Sequence, residues 1–296
     1  PDKIDEKSAC TIISCYNTRD EVLTVAKEIL RLNDKGVAFS KIGVAAREIE
    51  PYLSVINDIF PKHAIPVTSR CETAMMPYPL ALSIFLMTTL LVEDFPRAPC
   101  IDVITSPFFR PVVFCKAEAV ASEHESSLRR KWDLLTREAK ITKGWASWRQ
   151  LKTPDQEALS DSDRHTALLW AVFSDLYHDL NGLPLKETWP NYAKRWHSLL
   201  TKYFGLMEAE EESEPAAEAD FQQRNIQAAI RKNLDRLASF GGIAGPISRE
   251  DFIAAFQRGL KRALIPFSAH NTAGTSVMNI MQARGLSFRY VFLLGM

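Results

Sequence analysis

The sequence lacks the short motifs through which many enzymes hold phosphates, metals or acyl groups. It contains no Gly-x-x-x-x-Gly-Lys-Ser/Thr phosphate loop, no Gly-x-Gly-x-x-Gly, no Gly-x-Ser-x-Gly and no His-Glu-x-x-His. The usual phosphate-loop mode of triphosphate binding is therefore excluded for this chain. The 36 acidic residues are scattered, and none of them forms a convincing Asp…Glu-x-Lys nuclease constellation.

The chain also lacks net charge and long apolar runs. Its 36 basic and 36 acidic residues cancel, so nothing attracts the whole molecule to nucleic acid or to an anionic membrane. The longest apolar run, Ala81 to Val92, is about half of the roughly 20 residues that a membrane span needs. Residues Pro1 to Lys7 are polar, unlike the start of a signal peptide. We therefore expect no membrane association.

The five cysteines and six histidines do not have the spacing of a metal site. No cysteine pair shows Cys-x-x-Cys, and no two histidines lie at i, i+4. An odd number of cysteines, most of them in apolar surroundings, indicates reduced thiols and a cytoplasmic protein. The composition, 46% apolar and 24% charged over 296 residues, is that of a globular chain.

The start of the chain alternates between strand and helix signals. Short β-branched or apolar runs predict strands, and apolar residues at helical spacing predict the helices between them. Strands separated by single helices form right-handed crossovers and a parallel sheet. The predicted elements are strand Thr11–Tyr16, a helix over Val22–Leu32, strand Ser40–Arg47, helix Glu50–Phe60 and an extended piece at Ala64–Thr68.

The middle of the chain, residues 79–264, shows almost only helical periodicity. Within it, residues 208–220 contain seven acids and no basic residue. This composition predicts a mobile loop, with an acidic partner site as the alternative. We therefore predict a helical insertion domain over 79–264 that carries an acidic loop.

Strand signals return at the end, in Thr275–Met281 and Arg289–Leu294, joined by a loop with one glycine. The predicted fold class is α/β: a parallel sheet built from both chain ends, residues 1–78 and 265–296, and interrupted by the all-helical insertion. Ile12, Val44 and Phe292 are expected in one sheet. Because the chain stops straight after an apolar strand, we expect it to be a fragment of a longer protein.

The loop between these last two strands resembles motif V of the UvrD/Rep-type superfamily 1 DNA helicases, which reads roughly Thr-x-His-x-Ala-Lys-Gly-Leu-Glu-Phe. The matching residues are Ala283, Gly285, Leu286, Phe288 and the strand from Tyr290 to Gly295. Arg284 replaces the lysine of the motif and keeps its charge. The departures are Asn279 at the Thr position, Met281 at His and Ser287 at Glu.

The opening segment resembles the start of the second motor domain of the same helicases. Arg19-Asp-Glu-Val, Ile42–Arg47 and Ile65-Pro-Val follow in the order of that family's acidic-headed helix, "aVl-R" strand and "IPy" strand. Pro77-Tyr-Pro-Leu80 and Thr105-Ser-Pro-Phe-Phe109 are similar to the B subunit of AddAB-type helicase–nucleases. The resemblance implies a RecA-like sheet, and it covers about 130 residues at the two ends.

The resemblance also implies site residues at the carboxyl ends of the strands, where parallel sheets bind ligands. The nucleotide-binding set is Arg47, Gly285 and Ser287, and the DNA-binding set is Asn279, Met281, Gln282 and Arg284. Each has a structural alternative: Gly285 as a turn glycine, Asn279 and Gln282 as loop caps, and Arg47 and Arg284 as members of local ion pairs. Ser287 is shorter than glutamate and uncharged, which weakens its case for a ribose contact.

As a whole, the resemblance implies an ATP-dependent DNA helicase or helicase–nuclease subunit in double-strand-break repair. Its cofactors would be ATP and Mg, bound mainly outside this fragment, which alone is expected to be inactive. Its partners would be single-stranded or duplex-end DNA, the first RecA-like domain and a second helicase–nuclease subunit. The alternatives are a helical protein-interaction module and an inactive-motor scaffold subunit.

Two basic patterns in the helical region leave a further choice open. The aromatic and basic residues between Trp189 and Tyr203 predict either a helix with a core face or a base-stacking surface. The second pattern is a cluster of six basic residues, Arg129, Arg130, Lys131, Arg137, Lys140 and Lys143. It predicts either a surface that contacts the phosphates of a duplex or a solvated helix face.

Overall fold

A computed structural model describes residues 10–110, 125–152, 161–206, 218–242, 245–267 and 273–296. The chain divides into two compact units. One comprises Pro1–Thr73 with Pro266–Met296, and the other comprises Ala74–Ile265. The four-stranded sheet lies in the first unit, and most of the helices lie in the second.

The first unit contains a parallel sheet of strands β1 (Ile42–Ala46), β2 (Val67–Ser69), β7 (Thr275–Asn279) and β8 (Tyr290–Leu294). Their order in the sheet is β2-β7-β1-β8, and all three pairings are parallel. Val44 pairs with Val277 on one side and with Phe292 on the other. Every residue of β1 is buried, as its continuous apolar sequence requires. The predicted α/β class with a parallel sheet is confirmed.

The predicted strand at Thr11–Tyr16 is wrong. These residues form no ladder, and Ile12 and Tyr16 are 93% and 96% exposed. β-branched residues favour extended backbone, but a strand exists only where a neighbouring strand satisfies its hydrogen bonds. Ile12 therefore does not join Val44 and Phe292 in the sheet.

Two helices pack with the sheet. Helix α1 (Thr18–Asp34) is capped by Asn17, whose side chain accepts a hydrogen bond from the backbone N–H of Asp20. Helix α2 (Glu50–Ile59) has a proline in its first turn. Their buried faces, including Ile29 and Ile56, join Val44 and Val277 in one apolar core.

The second unit is a helical domain, with its own core. Its helices are α3 (Pro79–Val92), α4 (Arg97–Ile104), α5 (Glu125–Glu138), α6 (Gly144–Trp148), α7 (Asp161–Asn181), α8 (Trp189–Phe204), α9 (Glu218–Ala238) and α10 (Arg249–Arg262). Helix α10 is capped at its start by Ser248, whose hydroxyl accepts a hydrogen bond from the backbone N–H of Asp251 at 3.1 Å. Trp132, Trp148 and Trp196 are fully buried in the core.

Short strands complete the fold. β3 (Glu72–Ala74) pairs with β6 (Leu264–Pro266), and β4 (Lys186–Glu187) pairs with β5 (Ile247–Ser248). Among the helices of the described residues, none has the length and apolar character to cross a membrane. Residues 208–217 of the predicted acidic loop lie outside the described residues.

Candidate functional site

The candidate site lies at the carboxyl ends of β1 and β7. We call this side of the sheet its carboxyl edge. Ala46, the last residue of β1, pairs with Asn279, the last residue of β7. The next backbone N–H, that of Ile280, donates to the Ala46 carbonyl oxygen at 3.0 Å. Arg47 follows Ala46 directly, so the register places it beside the start of the β7–β8 connection. Carboxyl ends of adjacent parallel strands are a common location for ligand sites.

The connection opens with a reciprocal pair of side-chain hydrogen bonds. The Asn279 Oδ1 atom accepts from the Gln282 N–H at 2.8 Å, and the Gln282 Oε1 atom accepts from the Asn279 N–H at 3.0 Å. This is the capping-box arrangement that begins a helical turn. The Cys71 thiol also donates to Gln282 Oε1 at 3.4 Å. The loop-cap interpretation therefore accounts for the oxygens of both amides.

The amino groups of these two amides remain donors. No hydrogen bond to another residue within the described ranges occupies Asn279 Nδ2 or Gln282 Nε2. Capping and ligand binding are thus compatible, because the two functions use opposite ends of the same amide. The capping bonds also fix where each amino group points.

The middle of the connection is open to solvent. Met281 is 74% exposed, and Arg284 and Gly285 are exposed. Gly285 has φ +81° and no atom within 4 Å of the position a Cβ would take. The backbone conformation, not crowding, therefore explains the glycine. Arg284 makes no ion pair with a described residue, so the predicted alternative of a local salt bridge has no support within these ranges.

The end of the connection lies beside the amino end of β1, on the side of the sheet that we call its amino edge. The Phe288 ring packs against Gly43, where an added Cβ would lie 3.0 Å from Phe288 Cδ2. The Arg289 N–H donates to the carbonyl oxygen of Lys41, the residue before β1. Ser287 therefore lies on the segment that approaches the amino edge, whereas Arg47 and Asn279 lie at the carboxyl edge.

Two exposed arginines follow strands at the carboxyl edge. Arg47 follows β1, and Arg70 follows β2. Neither makes an ion pair with an acid in the described part of the chain. Sequence reasoning missed Arg70, although its position directly after a short extended run was a usable signal. Together with Arg284, these residues give the carboxyl side of the sheet positive charge that no described acid pairs with.

The end of β8 is held by Glu21, the glutamate of the Arg19-Asp-Glu-Val segment, to which sequence reasoning assigned no role of its own. Glu21 of α1 accepts from the Gly295 N–H at 2.8 Å and from the Tyr52 hydroxyl at 3.0 Å. Burial, together with the hydrogen bond to Glu21, raises the pKa of Tyr52 above its ordinary value. Gly295 has φ +71°, and a Cβ there would lie 2.8 Å from the Tyr52 oxygen. These contacts join α1 and α2 to the carboxyl end of the edge strand.

The described residues do not fit a complete site for ATP and Mg. The chain has no phosphate loop, and no group of three or more metal-binding side chains occurs within the described ranges. Arg47 lies directly after β1 and is exposed to solvent.

Comparison with known proteins gives distant and partial relatives. No protein-family profile matches the chain. The B subunit of an ATP-dependent helicase/deoxyribonuclease from Symbiobacterium thermophilum is 30% identical over 89 residues, which cover 30% of this chain and 8% of that protein. The protein of the same name from Desulforamulus reducens is 32% identical over 77 residues, 26% of this chain and 7% of its own length.

A longer match covers most of this chain. The A subunit of an ATP-dependent helicase/nuclease from Streptococcus thermophilus is 25% identical over 301 residues, which cover 93% of this chain and 21% of that protein. The chain thus spans about a fifth or less of the curated relatives it matches. These similarities support a distant relationship to the A and B subunits of ATP-dependent helicase–nucleases.

Proposed function

We propose that this chain is the second RecA-like domain, with its helical insertion over 79–264, of an ATP-dependent helicase or helicase–nuclease subunit in recombinational DNA repair. In this proposal the connection after β7 lies along single-stranded DNA, and Arg47 lies at one wall of the nucleotide cleft. The observation that carries the proposal is the pairing of Ala46 with Asn279. It supports the proposal because the motif-V-like loop and Arg47 both follow carboxyl ends of adjacent parallel strands, a common location of ligand sites.

The DNA contacts in this proposal come from groups that have no other partner in the described structure. Arg284 supplies a charge for a backbone phosphate, and the amino groups of Asn279 and Gln282 supply neutral donors. Exposed Met281 offers an apolar surface to a base. Gly285, with no Cβ, lets the strand approach the backbone closely.

The nucleotide contacts are less complete. Arg47 and the Gly285 backbone form the proposed wall, while Ser287 is uncharged and lies on the segment that runs towards the amino edge. The first RecA-like domain would supply the phosphate loop and the residues that hold ATP and Mg. For this reason the chain alone is proposed to have no ATPase activity. Duplex-end DNA and a second helicase–nuclease subunit would complete the assembly.

Replacing one arginine tests the DNA track. We expect Arg284→Gln to weaken binding of a labelled single strand, because one phosphate contact is lost. The slope of log affinity against log salt should fall by about 0.7, the value for one single-strand phosphate contact. Fluorescence anisotropy over a range of salt concentrations measures both quantities.

Arg289→Gln is the matched control. Arg289 is an exposed arginine of the same connection, but its backbone lies at the amino edge and its guanidinium lies 5.8 Å from the Tyr290 ring. Equal effects of the two substitutions, or an Arg284→Gln slope equal to that of the unchanged chain, would refute the proposed track. No single-strand binding at all would favour a helical protein-interaction module.

A second candidate is an inactive-motor scaffold subunit that binds DNA or a partner helicase without hydrolysing ATP. It is favoured by the exposed thioether of Met281 and by uncharged Ser287, which stand where the helicase motif has His and Glu. Single-strand-stimulated ATPase activity of the full-length protein distinguishes the two. Stimulated turnover supports the motor, and DNA binding without turnover supports the scaffold.

A further inference from the structure

A small basic pocket lies in the helical unit, between α9 and α10. It has a volume of about 190 Å³, and its lining includes Lys232, Asn233, Arg236, Gly259 and Arg262. Three of these residues are cations, and the described residues of the lining include no acid. The three cations are exposed, so the pocket opens to solvent.

The floor of the pocket is tightly built. The Asn233 side chain is 5% exposed, and its Nδ2 donates to the Phe256 carbonyl oxygen at 3.0 Å. Its Oδ1 accepts from Arg236 Nη2 at 3.3 Å, which orients the guanidinium. Gly259 is required by this contact, because a Cβ there would lie 2.0 Å from Asn233 Oδ1. The buried Asn233 side chain and the helical Gly259 therefore fix the position of the Arg236 guanidinium.

No acid in the described part of the chain neutralises the charges of the pocket. Lys232 and Arg262 make no ion pair with an acid in the described residues. Lys232 and Arg236 are four residues apart on one helix, a spacing at which like charges repel. The attraction of cations to helix carboxyl ends accounts for Arg236 and Arg262, each in the last turn of its helix. It does not account for Lys232, which lies before the last turn of α9.

Another basic cleft in the same unit provides a contrast. Arg97, Arg130 and Arg137 line a cleft of about 480 Å³, but Asp102 and Asp133 line it too. Asp133 lies 2.7 Å from Arg97 and 3.0 Å from Arg137. That cleft has its own counter-charge, whereas the described residues supply none to the pocket between α9 and α10.

We propose that the pocket formed by Lys232, Arg236 and Arg262 binds a phosphate group. Its volume is below the roughly 300–1,000 Å³ of pockets that enclose whole small molecules, which points to a single charged group. The guanidinium groups offer paired N–H donors that suit phosphate oxygens, and Lys232 adds a point charge. The group belongs either to a nucleic-acid backbone or to a free phosphate compound. This site is independent of the proposed DNA track at the sheet.

Two double variants with equal loss of charge test the pocket. Lys232→Gln with Arg262→Gln removes two of its cations and leaves Arg236 on Asn233. Lys194→Gln with Arg258→Gln is the control, because both residues are exposed on helices of the same unit and neither lines the pocket. The first readout is the amide NMR shift of Asn233 and Gly259 during titration with inorganic phosphate and with pyrophosphate. The second is the salt-dependent affinity for a labelled single strand and a hairpin duplex.

We expect phosphate or pyrophosphate to shift both amides in the unchanged chain and in the control, and not in the pocket variant. A nucleic-acid source also predicts weaker oligonucleotide binding by the pocket variant alone, with the single-strand salt slope reduced by about 1.4 for two contacts. If the pocket variant loses the amide shifts but binds the oligonucleotides as the unchanged chain does, the site is assigned to a free phosphate compound. The proposal is overturned if neither anion shifts these amides, or if both double variants behave alike.

Discussion

At the residue scale, one carboxylate organises part of the helical unit. Asp133 on α5 accepts from Arg97 at the start of α4 and from Arg137 one turn along its own helix. Arg97 also donates to Thr136 at 3.2 Å. The hydrogen bond from Arg97 is the main reason why the pKa of Asp133 lies below its ordinary value, and Arg137 adds to it.

Asp133→Asn should therefore reduce stability in a pH-dependent way. A lowered pKa in the folded state gives stability above the ordinary aspartate pKa of about 3.9, and this stability is lost as pH falls through and below that value. Because Asp133 is partly exposed, we expect a loss of about 0.5–1 kcal/mol at neutral pH. The difference in free energy of unfolding between Asp133→Asn and the unchanged chain should become smaller below pH 4. Urea unfolding at several pH values measures this difference.

Asp235→Asn is the control for this prediction, because Asp235 is exposed on α9 and has no ion pair within the described ranges. A loss of equal size in the control, or a difference for Asp133→Asn that does not change with pH, would contradict the assigned ion pair.

The residue scale also shows where sequence reasoning stops. The identities of Asn279 and Gln282 indicated polar loop residues, but mutual capping depends on the tightness of the turn after β7. Likewise, Asn233 and Gly259 look unrelated in sequence. Only the packing of α9 against α10 brings them into contact and creates the basic pocket.

At the element scale, helices were predictable and strands were less so. The pattern for Glu50–Phe60 gave α2 to within one residue, because helical periodicity is a local property. The segment Thr11–Tyr16 has the composition of a strand but no partner strand among the described residues. The extended piece was predicted at Ala64–Thr68, whereas the residues that pair with β7 are Val67–Ser69. Between Trp189 and Tyr203, the core interpretation is correct for Tyr192, Trp196 and Tyr203, which are fully buried.

The strand β8 is an edge strand whose two faces differ. Leu293 is 50% exposed, whereas the next residue, Leu294, is 3% exposed and belongs to the sheet core. We expect Leu293→Lys to change the free energy of unfolding by less than about 0.5 kcal/mol, as is usual for surface sites. Leu294→Lys buries an unpaired charge and should lower the free energy of unfolding by several times that amount. Chemical denaturation compares the two, and equal costs would contradict the observed register.

At the scale of the whole molecule, the two units have separate apolar cores. The core of the helical unit draws on residues between Met75 and Ile265, and the sheet core draws on residues from both chain ends. All six tryptophans, from Trp132 to Trp196, lie in the helical unit. Tryptophan emission therefore reports on that unit alone.

Deleting residues 266–296 should unfold the sheet and spare the helical unit. The deletion removes β7, which separates β2 from β1, and β8, which pairs with the other side of β1. The remaining two strands would have no ladder partner. We expect rapid hydrogen exchange at the amides of Gly43 and Ala45 with unchanged tryptophan emission. Slow exchange at these amides, or a red-shifted emission, would contradict the assignment of separate cores.

The placement of β7 between β2 and β1 has a consequence for biosynthesis. A ribosome completes β2 roughly 200 residues before it begins β7, a delay of about 10–40 s at translation rates of roughly 5–20 residues per second. During that time the nascent chain carries Ile42–Ala46, an apolar segment that is fully buried in the finished protein, without either of its neighbours. The helical unit is synthesised in this interval, whereas the sheet closes only after Leu294 has left the exit tunnel. Newly made chains therefore need protection from association at β1 until synthesis of the last strand.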